Sequence, residues 1–540
     1  MTEGEPGREA PPTGLAELRR GLAERRGKSR VDLLLDQRDP VEAVQALPPD
    51  ELFHAIQEAG LADAAELVQL ASPDQFRTFL DLGAWRDRAF SPERALPWLK
   101  AARPPSLSGE EAVARWREKL AALDPELVSL LLRGTLRVHD LEEEPDPELE
   151  ADAWLKTPDG RFVVEIVPAG PDSLTMRRLL DDLYAEDAFE AGRRLASFRQ
   201  EIEAELAEAE LRWRTGRLAD LGFPPLEEAL SWFARPKAAA AGEAPPGLPH
   251  RPPGFWLAAH RTPSLLDRAA ARLPPESAAR FEAELLSAAN AVLVADRVDP
   301  SDAEEVAGAL ESARALLEMG LEAASGGDEE SASAVLASTP LKRIFQRGFG
   351  QLLELHGRAA RLAQPPLGPG PVLDAPLGDA VAALRLRRPR YFPGLSMPRA
   401  EWGAPATAAF TARPFRSTAE VREALSALEA AEGLLALSRR LGLERPVGFP
   451  GEATLSALYL TALANERLGR PFAATPIARD EVPRAACALE PLASPWLEGA
   501  GEPGELLATL ARNRAAELEP LRAGEAARPG TVTALLVAPP

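Results

Sequence analysis

Ser72-Pro73-Asp74-Gln75-Phe76-Arg77-Thr78-Phe79-Leu80-Asp81-Leu82-Gly83 decides how the rest of the chain is read. A serine oxygen can accept from the unsatisfied N–H groups of a helix start, and proline at the first helical position needs no donor. Gln75, three residues beyond the serine, completes a capping box. Phe76, Phe79 and Leu80 recur at the three-and-four spacing of one helical face, and Gly83 closes the segment. This is a short amphipathic helix.

The same punctuation recurs at Asp39-Pro40, Ser91-Pro92, Asp124-Pro125, Asp299-Pro300 and Thr339-Pro340. From Val31 to Lys100 the apolar positions (Val41, Val44; Leu52, Phe53, Ile56; Leu61, Ala65, Val68) again fall on segments of about ten residues. Pro49-Asp50-Glu51-Leu52 returns 24 residues later as Pro73-Asp74-Gln75-Phe76, and more weakly as Pro125-Glu126-Leu127. A loose stack of helical repeats fits this spacing; so does helix-start grammar with no common origin. The fold class expected is mainly α: multi-helical, with short antiparallel helix pairs and a superhelix-like N-terminal unit.

The grammar changes after Asp140 to Asp152, a run of eight acids and no base. Trp154-Leu155-Lys156, Thr157-Pro158-Asp159-Gly160 and Arg161-Phe162-Val163-Val164-Glu165-Ile166-Val167 read as a β-hairpin around an Asp-Gly turn. A lone hairpin is marginal in water and needs a third strand or a helix, and Thr531 to Val537 is a β-like candidate. Leu180, Tyr184, Ala188, Ala191, Leu195, Phe198, Ile202, Leu206, Ala209 and Trp213 then predict one long helix. Further helices are expected over 279–297, from the capping box at Ser301, over 329–336 and 341–362, and from Ser417, Thr454 and Glu505.

At 540 residues the chain exceeds one core and calls for three or four packed units. The expected division is a disordered leader (1–28), a helical superhelix-like module (29–140), an acidic linker (141–152) and the hairpin with its long helix (153–235). A Pro/Ala/Gly linker (236–254), a helical unit (255–363), a Pro/Arg/aromatic segment (364–416) and a C-terminal helical unit with a terminal strand (417–540) follow.

Net charge is -21, which argues against general nucleic-acid binding, because counterion release rewards only a basic surface. Six lysines against fifty-six arginines suggest a GC-rich bacterial coding bias. The single cysteine, Cys487, excludes an intramolecular disulfide and suits a reducing compartment, so a cytoplasmic location is expected. The N-terminus lacks the apolar core of a signal peptide, and stretches such as 455–464 fall short of the roughly 20 residues of a spanning helix, so no membrane insertion is expected.

Leu47-Pro48-Pro49-Asp50-Glu51-Leu52, the Thr-Pro-Asp-Gly hairpin, Arg212-Trp213-Arg214 through Pro224, Arg413-Pro414-Phe415-Arg416 and Thr461-Ala462-Leu463-Ala464-Asn465 together resemble a bacterial family, mainly delta-proteobacterial, known as a domain of unknown function. The resemblance covers nearly the whole chain and implies no activity. Residues 31–100 are also similar to the helical superhelix on the cytosolic side of magnesium transporters. That likeness implies an interaction or regulatory module and carries over no metal ligands.

No catalytic, metal or cofactor motif is complete. Glu51-x-x-His54 lacks the second step a di-iron bundle needs, and is read as a helix-surface histidine. Asp181, Asp182, Glu186 and Asp187 read as first-turn acids of the long helix, and Cys487 as a loop residue with no base near it in sequence. Gly348-Phe349-Gly350 follows no strand, so it is not a dinucleotide loop.

Residues 385–416 depart most from the chain's composition. Seven arginines, at 385, 387, 388, 390, 399, 413 and 416, stand against Glu401 alone and alternate with Tyr391, Phe392, Trp402, Phe410 and Phe415. Arg385, Arg388, Arg390, Arg413 and Arg416 are candidate anion-binding residues. The alternative is an internal clamp on the chain's own acids. Leu52, Phe53, Phe76 and Phe79 are candidate partner contacts. Two functions are consistent with these features: a non-enzymatic cytoplasmic scaffold or regulator that binds a protein through the N-terminal helices, or an enzyme or sensor of an anionic small molecule.

Overall fold

The Pro73–Gly83 helix forms with both halves of its capping box: Gln75 N–H donates to Ser72 Oγ (3.2 Å), and Ser72 N–H donates to Gln75 Oε1 (2.8 Å). The Gln75 amide also donates to the carbonyls of Val44 and Leu47, both at 2.8 Å, which ties this helix to the end of the Pro40–Gln45 helix. The computed structural model describes residues 15–86, 88–104, 109–198, 201–235, 264–364, 372–404, 409–449, 453–492, 495–522 and 533–539. Over these the chain is mainly α, with two small antiparallel sheets. The expected linker at 236–254, and residues 365–371 of the second Pro/Gly stretch, lie outside the described residues.

Helices open at Pro40, Pro73, Pro92 and Pro125, and at Leu341 directly after Pro340. The caps are less uniform than the dipeptides. Asp39 accepts from Glu42 N–H (3.0 Å) and Ser72 from Gln75, whereas Ser91 and Asp124 make no side-chain cap. Asp299 opens no helix: the Ala303–Ser325 helix is capped by Asp302, which accepts from Glu304 and Glu305 N–H (both 3.0 Å). Asp299 instead holds Arg94 through two bonds of 2.7 Å.

The leader is partly folded. Leu15–Glu24 is a helix with Leu18 and Leu22 buried, so order begins well before residue 28. The chain forms two compact units, residues 1–233, 240–313 and 333–342 in the first, and 234–239, 314–332 and 343–540 in the second.

In the first unit, short helices from Lys28–Leu35 to Pro125–Thr135 surround an aromatic core. Phe53 stacks on Trp98 with ring centroids 5.4 Å apart, Phe79 lies 5.2 Å from the same ring, and Phe76 meets Trp116 edge-on at 6.3 Å. Two-residue strands β1 (Trp85–Arg86) and β2 (Ala89–Phe90) pair beside it. β3 (Leu136–Asp140), β4 (Trp154–Lys156) and β5 (Phe162–Ile166) make a sheet of order β3-β5-β4. The hairpin is β4–β5, closed by Thr157 N–H to Phe162 O (3.0 Å). Its third strand comes from Leu136–Asp140, not from the chain end; Val537 forms a single parallel bridge with Ile477 in the second unit. Leu136-Arg137-Val138-His139 alternates as a strand should, and it lies beside the hairpin in sequence, so pairing it costs less loop entropy.

The long helix predicted over 180–213 is three helices, Pro171–Glu186, Ala188–Phe198 and Glu203–Asp220. Asp187 is extended (φ −152°, ψ 102°) and its carboxylate accepts from Glu190 N–H (2.9 Å), a helix start inside an otherwise continuous apolar stripe. Asp181, Asp182 and Glu186 therefore end a helix instead of opening one. Asp182 accepts from Arg103 (2.7 and 3.1 Å) and from Trp116 Nε1 (2.8 Å), so a tertiary ion pair replaces the helix-dipole role.

In the second unit, Gly320 of the Ala303–Ser325 helix faces Ile344, and Gly348 of the Leu341–Leu362 helix faces Leu316. A Cβ at Gly348 would lie 2.9 Å from the Leu316 carbonyl carbon, and one at Gly320 2.8 Å from that of Ile344. Gly348 is thus a close-approach glycine. Thr418–Arg440, Leu455–Arg467 and Gly501–Ala515 pack together beyond it, and Cys487 lies exposed on the Val482–Ala488 helix rather than in a loop.

Candidate functional site

The Glu203–Asp220 helix turns three of its charged residues, Glu210, Arg214 and Arg217, toward its neighbours. It packs on the Pro73–Gly83 and Pro125–Thr135 helices, and the residues facing them include Leu206, Glu210 and Leu218. Arg217 donates to Asp81 through Nε and Nη2 (2.7 and 2.8 Å), to Asp124 through Nη1 (2.7 Å) and to Glu210 through Nη2 (2.7 Å). Arg214 Nε donates to the Asp81 carbonyl (2.7 Å), and its guanidinium lies 5.1 Å from the Trp85 ring centroid. Burial pushes the Glu210 carboxyl up to about 7 despite Arg217, while burial lowers Arg214 to about 10. Arg217, bonded to three carboxylates, stays charged.

This pin decides which side of the helix meets water. Trp213, predicted on the buried stripe, is 58% exposed, and Ile202 at the helix start is also exposed. Phe189 is 81% exposed on the preceding helix, and Trp154 on β4 is 52% exposed. Leu149, Val167, Leu174 and Leu226 join them, so eight of the fourteen exposed large apolar side chains among the described residues fall between residues 149 and 226. Sequence periodicity placed Ile202 and Trp213 on the buried stripe of one unbroken helix.

The sheet beside it has two unlike faces. Leu136, Val138, Phe162, Val164 and Ile166 alternate onto one side, and Arg137, His139, Glu165, Trp154 and Lys156 onto the other. The acidic run lies over this polar side. Buried Glu165 accepts from Glu150 N–H (2.6 Å) and Ala151 N–H (2.5 Å), and His139 Nε2 stands 2.8 Å from it. Burial works against the Glu165 charge, but these donors outweigh it and hold the carboxyl below its usual range.

The arginine/aromatic segment lies in the second unit, and most of its aromatics are core. Tyr391, Phe392, Trp402 and Phe415 are buried; Phe410 is exposed. Tyr391 and Arg413 bridge as antiparallel backbone (2.7 and 3.0 Å), and the Arg413 guanidinium lies 4.9 Å from the Tyr391 ring centroid. Arg413 donates to both oxygens of Glu420 (2.7 and 3.2 Å), and Arg416 N–H donates to Glu420 Oε2 (2.8 Å). The Tyr391 hydroxyl donates to Glu423, and burial with that carboxylate pushes it up to about 12. Arg399 pairs with Glu502 and Arg388 sits 5.6 Å from the Phe349 ring centroid. Arg390 reaches the Ala412 carbonyl at 3.5 Å, and Arg385 is exposed at the end of the Leu377–Leu384 helix. Acids of the second unit that engage this segment include Glu420, Glu423 and Glu502.

Leu52, Phe53, Phe76 and Phe79 are each 0% exposed: they fill the aromatic core and offer no surface to a partner. His54 is buried as well, not on the helix surface, and burial lowers it to about 4 despite Asp50, keeping the imidazole neutral. Among the described residues no group of three or more His, Cys, Asp or Glu is arranged to hold a metal ion. Nor is any described helix long and apolar enough to cross a membrane.

The sequence pattern of one family, described as a family of unknown function (DUF6178), matches residues 8–530. No curated protein and no solved structure matches the chain.

Proposed function

We propose that this protein, which belongs to the family of unknown function DUF6178, is a non-enzymatic cytoplasmic scaffold or regulator that holds another protein on its first unit. One observation carries the reading: the concentration of exposed large apolar side chains between Leu149 and Leu226, led by Phe189, Trp213 and Trp154. Large apolar side chains left in water mark an interaction surface where they form a contiguous patch. Aromatic side chains of this size bring roughly 2–3 kcal/mol each when such exposed area is covered. The sequence reading of residues 31–100 as an interaction module agrees with a protein-binding role. The surface proposed here lies C-terminal to that module, because the module's own aromatics are spent on its core.

The competing reading, an anionic small molecule at residues 385–416, has less support. Arg413 and Arg399 already hold carboxylates, and Arg388 lies on an aromatic ring, as an internal clamp requires.

The test is affinity capture by the full-length chain from an extract of the cells that make it, against a Phe189→Gln/Trp213→Gln variant of the same melting temperature. The expected result is a protein enriched by the wild type and lost by the variant. Identical capture by both would overturn the proposal.

A further inference from the structure

β4 is an edge strand, and its outer edge is open. Two hydrogen bonds fix the alternation of the hairpin ladder, Thr157 N–H to Phe162 O (3.0 Å) and Ile166 N–H to Ala153 O (2.8 Å). With Leu155 opposite Val164 between them, the backbone groups of Ala153, Leu155 and Thr157 point to β5. Those of Trp154 and Lys156 point away from it. Neither residue's N–H or C=O has a hydrogen-bond partner among the described residues, and both side chains are exposed. An unpaired strand edge offers N–H and C=O groups with which an added strand can pair.

The charge beside this edge is mostly acidic, with Lys156 the cation on the strand itself. The acidic run is fastened to Glu165 by the N–H groups of Glu150 and Ala151, opposite the point where Trp154 pairs with Glu165. Glu142 and Glu150 have cationic neighbours in Arg161 and Arg137, and Glu144 lies 3.4 Å from His139 Nδ1. Asp146, Glu148 and Asp152 are exposed and have no ion-pair partner among the described residues. Leu149 and Trp154 add exposed apolar surface within the same stretch.

We infer that the outer edge of β4 is a strand-addition site for an extended, basic segment of a partner protein. The segment pairs its backbone with the free N–H and C=O groups of Trp154 and Lys156, sets an apolar side chain against Trp154, and places Lys or Arg toward Asp146, Glu148 and Asp152. The inference rests on the protein-binding reading above and adds to it where the partner sits and what chemistry it carries.

The experiment selects a random dodecapeptide library displayed on phage against the full-length chain, then measures the affinity of the selected peptides by fluorescence anisotropy. Peptides in which Lys or Arg alternates with apolar residues should dominate, and should bind more weakly as salt is raised. Lys156→Pro removes an outward N–H that the hairpin does not use, and edge strands tolerate proline. It should weaken binding about tenfold or more, as should the Asp146→Lys/Glu148→Lys/Asp152→Lys variant, while Phe189→Gln/Trp213→Gln leaves it unchanged. Circular dichroism and the melting temperature check the fold; should Lys156→Pro unfold, Trp154→Pro blocks the same edge, and the triple charge reversal is a surface change. No enrichment, enrichment of acidic peptides, or binding that folded edge-blocked variants retain would overturn the inference. A cellular partner lost with Phe189→Gln/Trp213→Gln but kept by Lys156→Pro would remove strand addition and leave the broader function standing.

Discussion

Replacing Arg217 with methionine takes the cation out from under the Glu203–Asp220 helix while keeping the side chain's length. It removes two hydrogen bonds to Asp81 and one each to Asp124 and Glu210. The Asp81 and Glu210 side chains are fully buried, so neither can turn to water for compensation. Breaking a buried ion pair from one side costs about 3–5 kcal/mol, because the other charge is stranded. Two carboxylates are stranded here, and their escape is to take up protons, so the loss should shrink on acidification. The assay is urea unfolding of both full-length proteins at about pH 8 and about pH 5, followed by tryptophan fluorescence; Trp85 lies beneath Arg214 in the same cluster. A loss below about 1 kcal/mol at the higher pH, or an equal loss at both, would refute the reasoning that the cluster is a desolvated ionic pin.

In the wild type, Glu210 titrates near 7 when folded against 4.5 as a free side chain, so the folded protein keeps a proton that the unfolded chain releases across that window. Stability from this group should fall as pH rises from about 4.5 to 7 and stay reduced above; Glu210→Gln should flatten that slope and be the more stable protein at about pH 8, and a slope unchanged in denaturation series would contradict it. Gly348→Ala should cost about 1–3 kcal/mol by forcing the two crossing helices apart, whereas Gly350→Ala, which meets open space, should gain about 0.5–1 kcal/mol; equal melting shifts would deny the close approach. Phe53→Ala should destabilise by about 3–5 kcal/mol and Trp213→Ser by no more than about 0.5 kcal/mol, and similar values for the two would contradict the assignment of core and surface.

Local patterns were legible where the decisive partners lie within a few residues. The capping box at Ser72, the helix over 341–362 and the Thr157-Pro158-Asp159-Gly160 turn all depend on neighbours close in the chain. The break at Asp187 was equally local and still missed, because an apolar stripe crosses it without losing phase. The candidate surface was hidden for a different reason. Periodicity ranks Trp213 as interior, yet it is exposed, because Glu210, Arg214 and Arg217 turn inward, the two arginines to pair with Asp81 on another helix and Glu210 with Arg217.

What the sequence determined by itself is the kind of structure: a mainly helical chain of short, proline-opened segments with one hairpin near residue 160. What only the tertiary structure decided is the use of each polar group. Asp39, Asp124 and Asp299 all precede proline, yet the first caps its helix, the second pairs with Arg217 and the third with Arg94. A carboxylate beside a helix start is offered its own backbone N–H groups in every case. When folding brings a guanidinium within reach, the charge-assisted pair outcompetes the cap, and that partner lies 93 residues away for Asp124 and 205 for Asp299.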